Sequence, residues 1–187
     1  MKTSFIIAAL LLALPVVHME ARELFLSLND TFTVTNTAKW TVSVLNQVDL
    51  RSADIEVKPR GKKSFYLTLY FKCDTKDLAQ YDTPEKMKKS VIETSQKYLG
   101  VVVEKEIAVE AITNRGWYGF KTTLTDAALA GTRPPPDGQF LYMIRGMIRL
   151  SEDSALGFNL MTNDPNSGET REIEQYICAF ARMKRTS

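Results

Sequence analysis

The chain has 187 residues, 44% of them hydrophobic and 25% charged, with a formal net charge of +2. That composition suits one ordinary globular domain or at most two small ones, and nine glycines and seven prolines exclude a collagen-like or low-complexity chain. A charge so close to neutral gives no reason to expect nucleic acid or an anionic membrane as partner.

Lys2 precedes an unbroken apolar run from Phe5 to Leu14, which Val16 and Val17 extend past Pro15. This is the layout of an export signal, with Ala21 as the small residue at the cleavage position. The run is short for a membrane span, and the segment has no cysteine to carry a lipid. Residues 1–21 are therefore expected to be removed, leaving 22–187 as a single exported, soluble domain, periplasmic or extracellular. Removal would take away Lys2, Glu20 and His18, the only histidine, and leave the net charge unchanged. Asn29-Asp30-Thr31 is a glycosylation acceptor if the secretory pathway is eukaryotic.

Residues 22–30 read as an entry segment. From Phe32 to Val44 the β-branched and aromatic residues predict one or two strands, broken near Asn36-Thr37, and Asp54 to Lys58 a short further one. Ser64 to Cys73 alternates most clearly. Phe65, Leu67, Leu69, Phe71 and Cys73 share one side, and Tyr66, Thr68, Tyr70 and Lys72 the other, which is the pattern of a central strand. Thr83-Pro84-Glu85 then has the chemistry of a helix start: a capping hydroxyl, a proline suited to the first turn and an acid at the positive end. Met87, Val91, Ile92, Tyr98 and Leu99 form its predicted buried stripe, Lys86, Lys88 and Lys89 its solvated face, and Gly100 its left-handed exit.

Beyond Gly100 the period returns to two, with Val101, Val103, Ile107, Val109 and Ala111 opposite Glu104, Glu106 and Glu110. A turn at Asn114-Arg115-Gly116 and a strand from Trp117 to Thr125 complete a predicted hairpin. Asp126 to Gly138 is a loop whose three prolines are expected to hold it extended. Strands follow over Gln139–Leu150, with Arg145 and Arg149 opposite the apolar set, and over Ala155–Thr162. The closing helix presents Ile173, Tyr176, Ile177 and Phe180 at buried-face spacing. The elements predict an α+β fold, a mostly antiparallel sheet with two main helices in an α/β/α sandwich.

This element order resembles the PsbP-like and Mog-type fold, which includes extrinsic photosystem proteins, a nuclear Ran-binding factor and exported bacterial proteins. The anchors of the resemblance are the Thr83–Gly100 helix, the Gly116-Trp117-Tyr118-Gly119-Phe120 strand and the terminal helix from Ile173 to Phe180. It implies a non-enzymatic binding or accessory role and transfers no partner-contacting residue.

Searches for chemistry exclude several classes. The chain lacks a G-x-S-x-G elbow, S-x-x-K, a dinucleotide G-x-G-x-x-G and a P-loop, so neither a serine nucleophile of those types nor a cofactor is expected. Loss of His18 would remove Ser-His and Cys-His catalysis and histidine-bound metals, and two distant cysteines make no C-x-x-C motif. The Asp164–Glu169 loop resembles a calcium loop only in part, since Gly168 and Gln175 occupy ligand positions, and reads better as a capping turn. Cys178 lies ~140° around its helix from Ile173, so it is expected to turn away from the core that Cys73 faces, which argues against a disulfide between them.

Tyr66, Tyr70 and Tyr118, with Arg145 and Arg149, share the sheet's second side and read as packing beneath a helix in preference to a ligand platform. Arg115, Trp117 and Arg133, in a hairpin turn and a proline-rich loop, are the candidate binding residues, because such segments expose side chains on a rigid scaffold. The expected function is a non-catalytic binding or accessory role through contacts with a protein or envelope partner. The alternatives are a carrier of a small apolar ligand between sheet and helix, and a carboxylate-based hydrolase using Asp126 or Asp137.

Overall fold

The computed structural model describes residues 21–25, 31–35, 37–49, 52–73, 75–113 and 117–180, so residues 1–20 of the expected export signal, with His18, and also Asn29 and Arg115, lie outside the described residues. Within them the order is β1 (Ala21–Phe25), β2 (Thr31–Thr35), β3 (Trp40–Asp49), β4 (Ser52–Pro59), β5 (Phe65–Lys72), α1 (Thr75–Leu78), a 3-10 turn (Ala79–Tyr81), α2 (Pro84–Gln96), β6 (Glu110–Thr113), β7 (Tyr118–Thr125), β8 (Tyr142–Arg149), β9 (Ala155–Thr162) and α3 (Gly168–Phe180). The expected entry segment thus contains a strand: β1 pairs antiparallel with β2, from Ala21 opposite Thr35 to Phe25 opposite Thr31.

The other seven strands form one antiparallel sheet in the order β3-β4-β5-β9-β8-β7-β6. Two meanders, β3 to β5 and β6 to β9, are sealed by β9 against β5, from Phe65 opposite Thr162 to Lys72 opposite Ala155. The helices α1 and α2 lie in the connection from β5 to the far edge. The fold is α+β with a mostly antiparallel sheet, as the alternation and the two helical stripes require.

Period-two side chains give the sheet two faces. On the first, Ile55, Leu67, Leu69, Phe71, Ile144, Ile148, Leu156 and Leu160 are buried and covered by Ile173 and Ile177 of α3. Trp40 closes one corner, edge-on to Phe65 at 6.3 Å and to Tyr176 at 5.6 Å. On the second face, a smaller cluster of Leu78, Tyr81, Met87 and Ala155 packs with Tyr118, Phe120 and Met147. α2 lies chiefly over β7 and β8.

The start of α2 follows its chemistry: Thr83 Oγ1 accepts from Lys86 N at 3.2 Å, ahead of Pro84. Its end does not. The helix stops at Gln96 with Lys97 in ordinary right-handed geometry, and Gly138 is the one described glycine with positive φ, so Gly100 is not a left-handed exit. Met87 and Val91 are buried as expected, joined by Ser90 and Ser95, small enough to let the helix approach the sheet. Ser95 Oγ satisfies itself on Val91 O at 2.6 Å. The lysine run is a solvated face, with Lys86 on Asp82 and Lys89 on Glu93.

Two further expectations are corrected, for the strand after Gly100 and for Cys178, while Arg149 is packed as expected. The strand after Gly100 shrinks to the four residues of β6, because only Tyr118 to Lys121 of β7 pair with it. Arg149 is buried at 6% exposure, with Nη2 donating to Glu152 O, because the short Ser151–Ser154 turn folds back over it. Cys178 is half-buried and packs against the same core as Cys73, since α3 sinks far enough that its flanks also touch the sheet. The Asp164–Glu169 loop is a capping turn: Asp164 Oδ1 accepts from Asn166 N at 2.9 Å and Ser167 Oγ from Thr170 N at 3.0 Å.

Candidate binding site

Of the sequence-selected binding residues, the two that are described, Trp117 and Arg133, are not brought together. Trp117, half-buried, precedes the first residue of β7, whereas exposed Arg133 lies in the loop that follows its last. Eight strand residues separate these ends, roughly 23 Å at ~3.3 Å per step. The Arg133 loop is not simply extended. Turn hydrogen bonds from Leu129 N to Asp126 O and from Gln139 N to Pro136 O flank the prolines, and the Arg133-Pro134 peptide is cis.

At the Arg133 end, the segment expected to be a strand forms a rigid ledge instead. Val102 bridges Asp126, Val103 N donates to Thr125 O at 2.9 Å, and Ala127 N donates to Val101 O at 3.1 Å. The Glu104 carboxylate accepts from Thr125 N and Oγ1 at 2.9 and 2.8 Å. Two large aliphatic side chains are thereby held in solvent: Val101 is 64% exposed and Val103 47%. The loop with Arg133 leaves the sheet from the same Asp126–Ala127 pair. The only sequence signal for the ledge was the alternation itself, which does not distinguish a buried face from an exposed one.

Asp126, one of the two carboxylates considered for hydrolysis, accepts from Ala128 N at 2.8 Å through Oδ1 and so stabilises this turn; Asp137 is exposed in the proline loop. Among the described residues no three of His, Cys, Asp and Glu gather as a metal-holding group.

The five polar residues of the second face separate by environment. Tyr118 donates to Tyr81 O at 2.7 Å and packs under the 3-10 turn; burial raises its pKa. Tyr66 donates to Glu56 at 2.6 Å, and Lys58 reaches the other oxygen. Burial pushes the Glu56 carboxyl up, but the bonds from Lys58 and Tyr66 outweigh it and hold its pKa below the usual value, while Glu56 raises that of Tyr66. Arg149 is buried. Tyr70 and Arg145 alone remain beside open space, a groove of about 180 Å³ between α2 and the sheet.

A larger cavity of about 360 Å³ lies under α3, lined by Ile112, Ile148, Phe158, Ile177 and Cys178 together with the Lys121–Glu174 ion pair, whose charged atoms are 2.5 Å apart. Its charges are largely matched within the wall. No protein-family profile matches the chain, and no curated protein is similar to it in sequence.

Proposed function

We propose that the protein is an exported, non-catalytic binding domain of PsbP-like or Mog-type, acting through surface contacts with a protein or envelope partner. The observation that carries the reading is the ledge of Val101 and Val103. Two exposed aliphatic side chains on backbone fixed by a bridge and a carboxylate clamp are pre-organised for contact, so little ordering entropy opposes docking. The Arg133 loop adds a cation beside them. The run of three strands, helix, four strands and helix in the main sheet supports the family reading, being the ordering on which that resemblance rests.

Capture from an extracytoplasmic fraction tests the proposal. Wild type and Trp117→Ala are expected to retain one partner after washing, Arg133→Ala to retain less, and Val101→Ser with Val103→Ser to lose it. Equal capture by the double variant, or no partner surviving the wash, overturns the proposal.

A second reading, a carrier of a small apolar ligand, is favoured by the cavity under α3, whose size and mix of apolar and a few polar wall residues suit such a molecule. A co-purifying mass adduct in native mass spectrometry, lost in Ile112→Trp, is the expected sign of it.

A further inference from the structure

The groove on the second face differs from the cavity under α3 in one respect: its wall carries positive charge and no negative charge. Arg145 and Lys72 line it, and no aspartate or glutamate does. Among the described residues neither cation has a carboxylate within 4.0 Å. Arg145 donates from Nη1 to Thr94 O at 2.9 Å, lies 5.0 Å above the Tyr98 ring and hydrogen-bonds the Tyr98 side chain, which fixes a guanidinium whose five N–H donors exceed these bonds. Burial lowers its pKa, because desolvation disfavours the charged form.

Beside it, Asn159 Nδ2 donates to the Tyr70 hydroxyl oxygen at 3.2 Å, so the Tyr70 O–H is available to a further acceptor. Gly157 forms the floor. A Cβ there would meet only Met147 and Tyr70, at 3.7 Å, so the open space comes from the missing side chain. Val91 and Met147 supply an apolar wall. The volume equals that of about six water molecules at ~30 Å³ each.

We propose that this groove binds a small oxyanion, the carboxylate of a short-chain acid or a phosphate, anchored by Arg145 with Lys72 and Tyr70 and seated over Gly157. A fixed guanidinium, an ammonium and a phenol donor converging on one space satisfy an anion with charge-assisted hydrogen bonds. The site is separate from the Val101–Val103 ledge, so partner capture and anion binding succeed or fail independently.

Titration calorimetry of the full protein at constant ionic strength, with butyrate, butyramide and inorganic phosphate, tests it. One or both anions are expected to saturate at one per chain, with butyramide at least about tenfold weaker than butyrate, in keeping with loss of the charge-assisted bonds. Butyrate binding abolished by Gly157→Ala identifies a carboxylate ligand with a tail; phosphate binding indifferent to Gly157→Ala identifies a phosphate. Arg145→Gln is expected to weaken the bound anion about tenfold or more, and Lys72→Gln to weaken it to a lesser degree. Because Arg145 also tethers α2, Lys72→Gln decides the outcome if Arg145→Gln fails to fold. Absence of saturation by either anion, equal binding of butyrate and butyramide, or wild-type affinity in a folded Lys72→Gln and Arg145→Gln pair overturns the proposal.

Discussion

Phe158 lays its ring over Gly146 on the neighbouring strand, so closely that a Cβ on Gly146 would sit 2.7 Å from the ring. The same added atom would collide with the carbonyl of Phe120. Backbone and an aromatic at the centre of the main core have no slack to yield. Gly146→Ala is therefore expected to destabilise the fold by about 1–3 kcal/mol, the usual cost of overpacking. Gly157→Ala, one residue from Phe158 but on the open face, is expected to be neutral or up to about 1 kcal/mol stabilising, since the unfolded chain loses freedom and nothing clashes. Urea unfolding of the two variants side by side checks the contrast.

Thr83 supplies the one side-chain cap at the start of α2. Thr83→Ala is expected to cost about 0.5–2 kcal/mol, and Thr83→Ser much less, because only the acceptor oxygen matters. Thermal melts of both variants give the comparison.

Among the described residues two ion pairs tie α3 down, and they are not equivalent. Lys39–Glu172 is well exposed, at 67% and 42% of the two side chains, and water screens it. Lys121–Glu174 is 22% and 28% exposed. Glu174→Ala is expected to destabilise by about 1–3 kcal/mol, since it strands a half-buried ammonium, whereas Glu172→Ala stays within about 0.5 kcal/mol. High salt is expected to erase the second effect and leave most of the first.

Tyr176, packed on Trp40, has its pKa pushed up to about 12 by burial. A folded-state pKa raised above the unfolded value of about 10 contributes stability that is fully present below pH 10. That stability is lost as pH rises from 10 towards 12, because the unfolded chain releases its proton first. The loss is expected to be on the order of 2–3 kcal/mol, at about 1.4 kcal/mol per pH unit. Alkaline unfolding of Tyr176→Phe, which has no proton to release, is expected to lack this component.

Trp117 and Arg133 stand at opposite ends of β7. Any effects of Trp117→Ala and Arg133→Ala on partner affinity are expected to add without coupling, as distant sites do. A double-mutant cycle on captured partner measures this; an interaction above about 0.5 kcal/mol would mean that one partner spans both ends.

Much of the fold was legible because its signals are local. The alternation from Phe65 to Phe71 fixed which side chains face α3, and Thr83-Pro84 fixed where α2 begins. The ends of elements were less legible, since they depend on neighbours distant in sequence. Val101 and Val103 alternate like core residues, yet β7 offers only four pairing positions to the strand beside them, and the chain is instead held at its rim through Glu104. Arg149 was expected to pack beneath a helix with Arg145, but what covers it is a turn two residues later. The groove was half legible: Tyr70 and Arg145 stood on one side of their strands, whereas Gly157 inside the β9 pattern, a position that marks close approach or missing volume, was passed over. Which of five polar residues would face that space depended on where α2 stops, at Gln96 and not at Gly100.

The placement of β9 has a consequence for how the polypeptide matures. Its middle position in the sheet is filled by the last of the described strands in chain order, so β5 and β8 are both made before the strand that pairs with them. A nascent chain ending before Ala155 has two half-sheets with bare inner edges and no means of joining them. Joining β5 to β9 across that separation in sequence therefore comes late, and long-range pairing of this kind is slow.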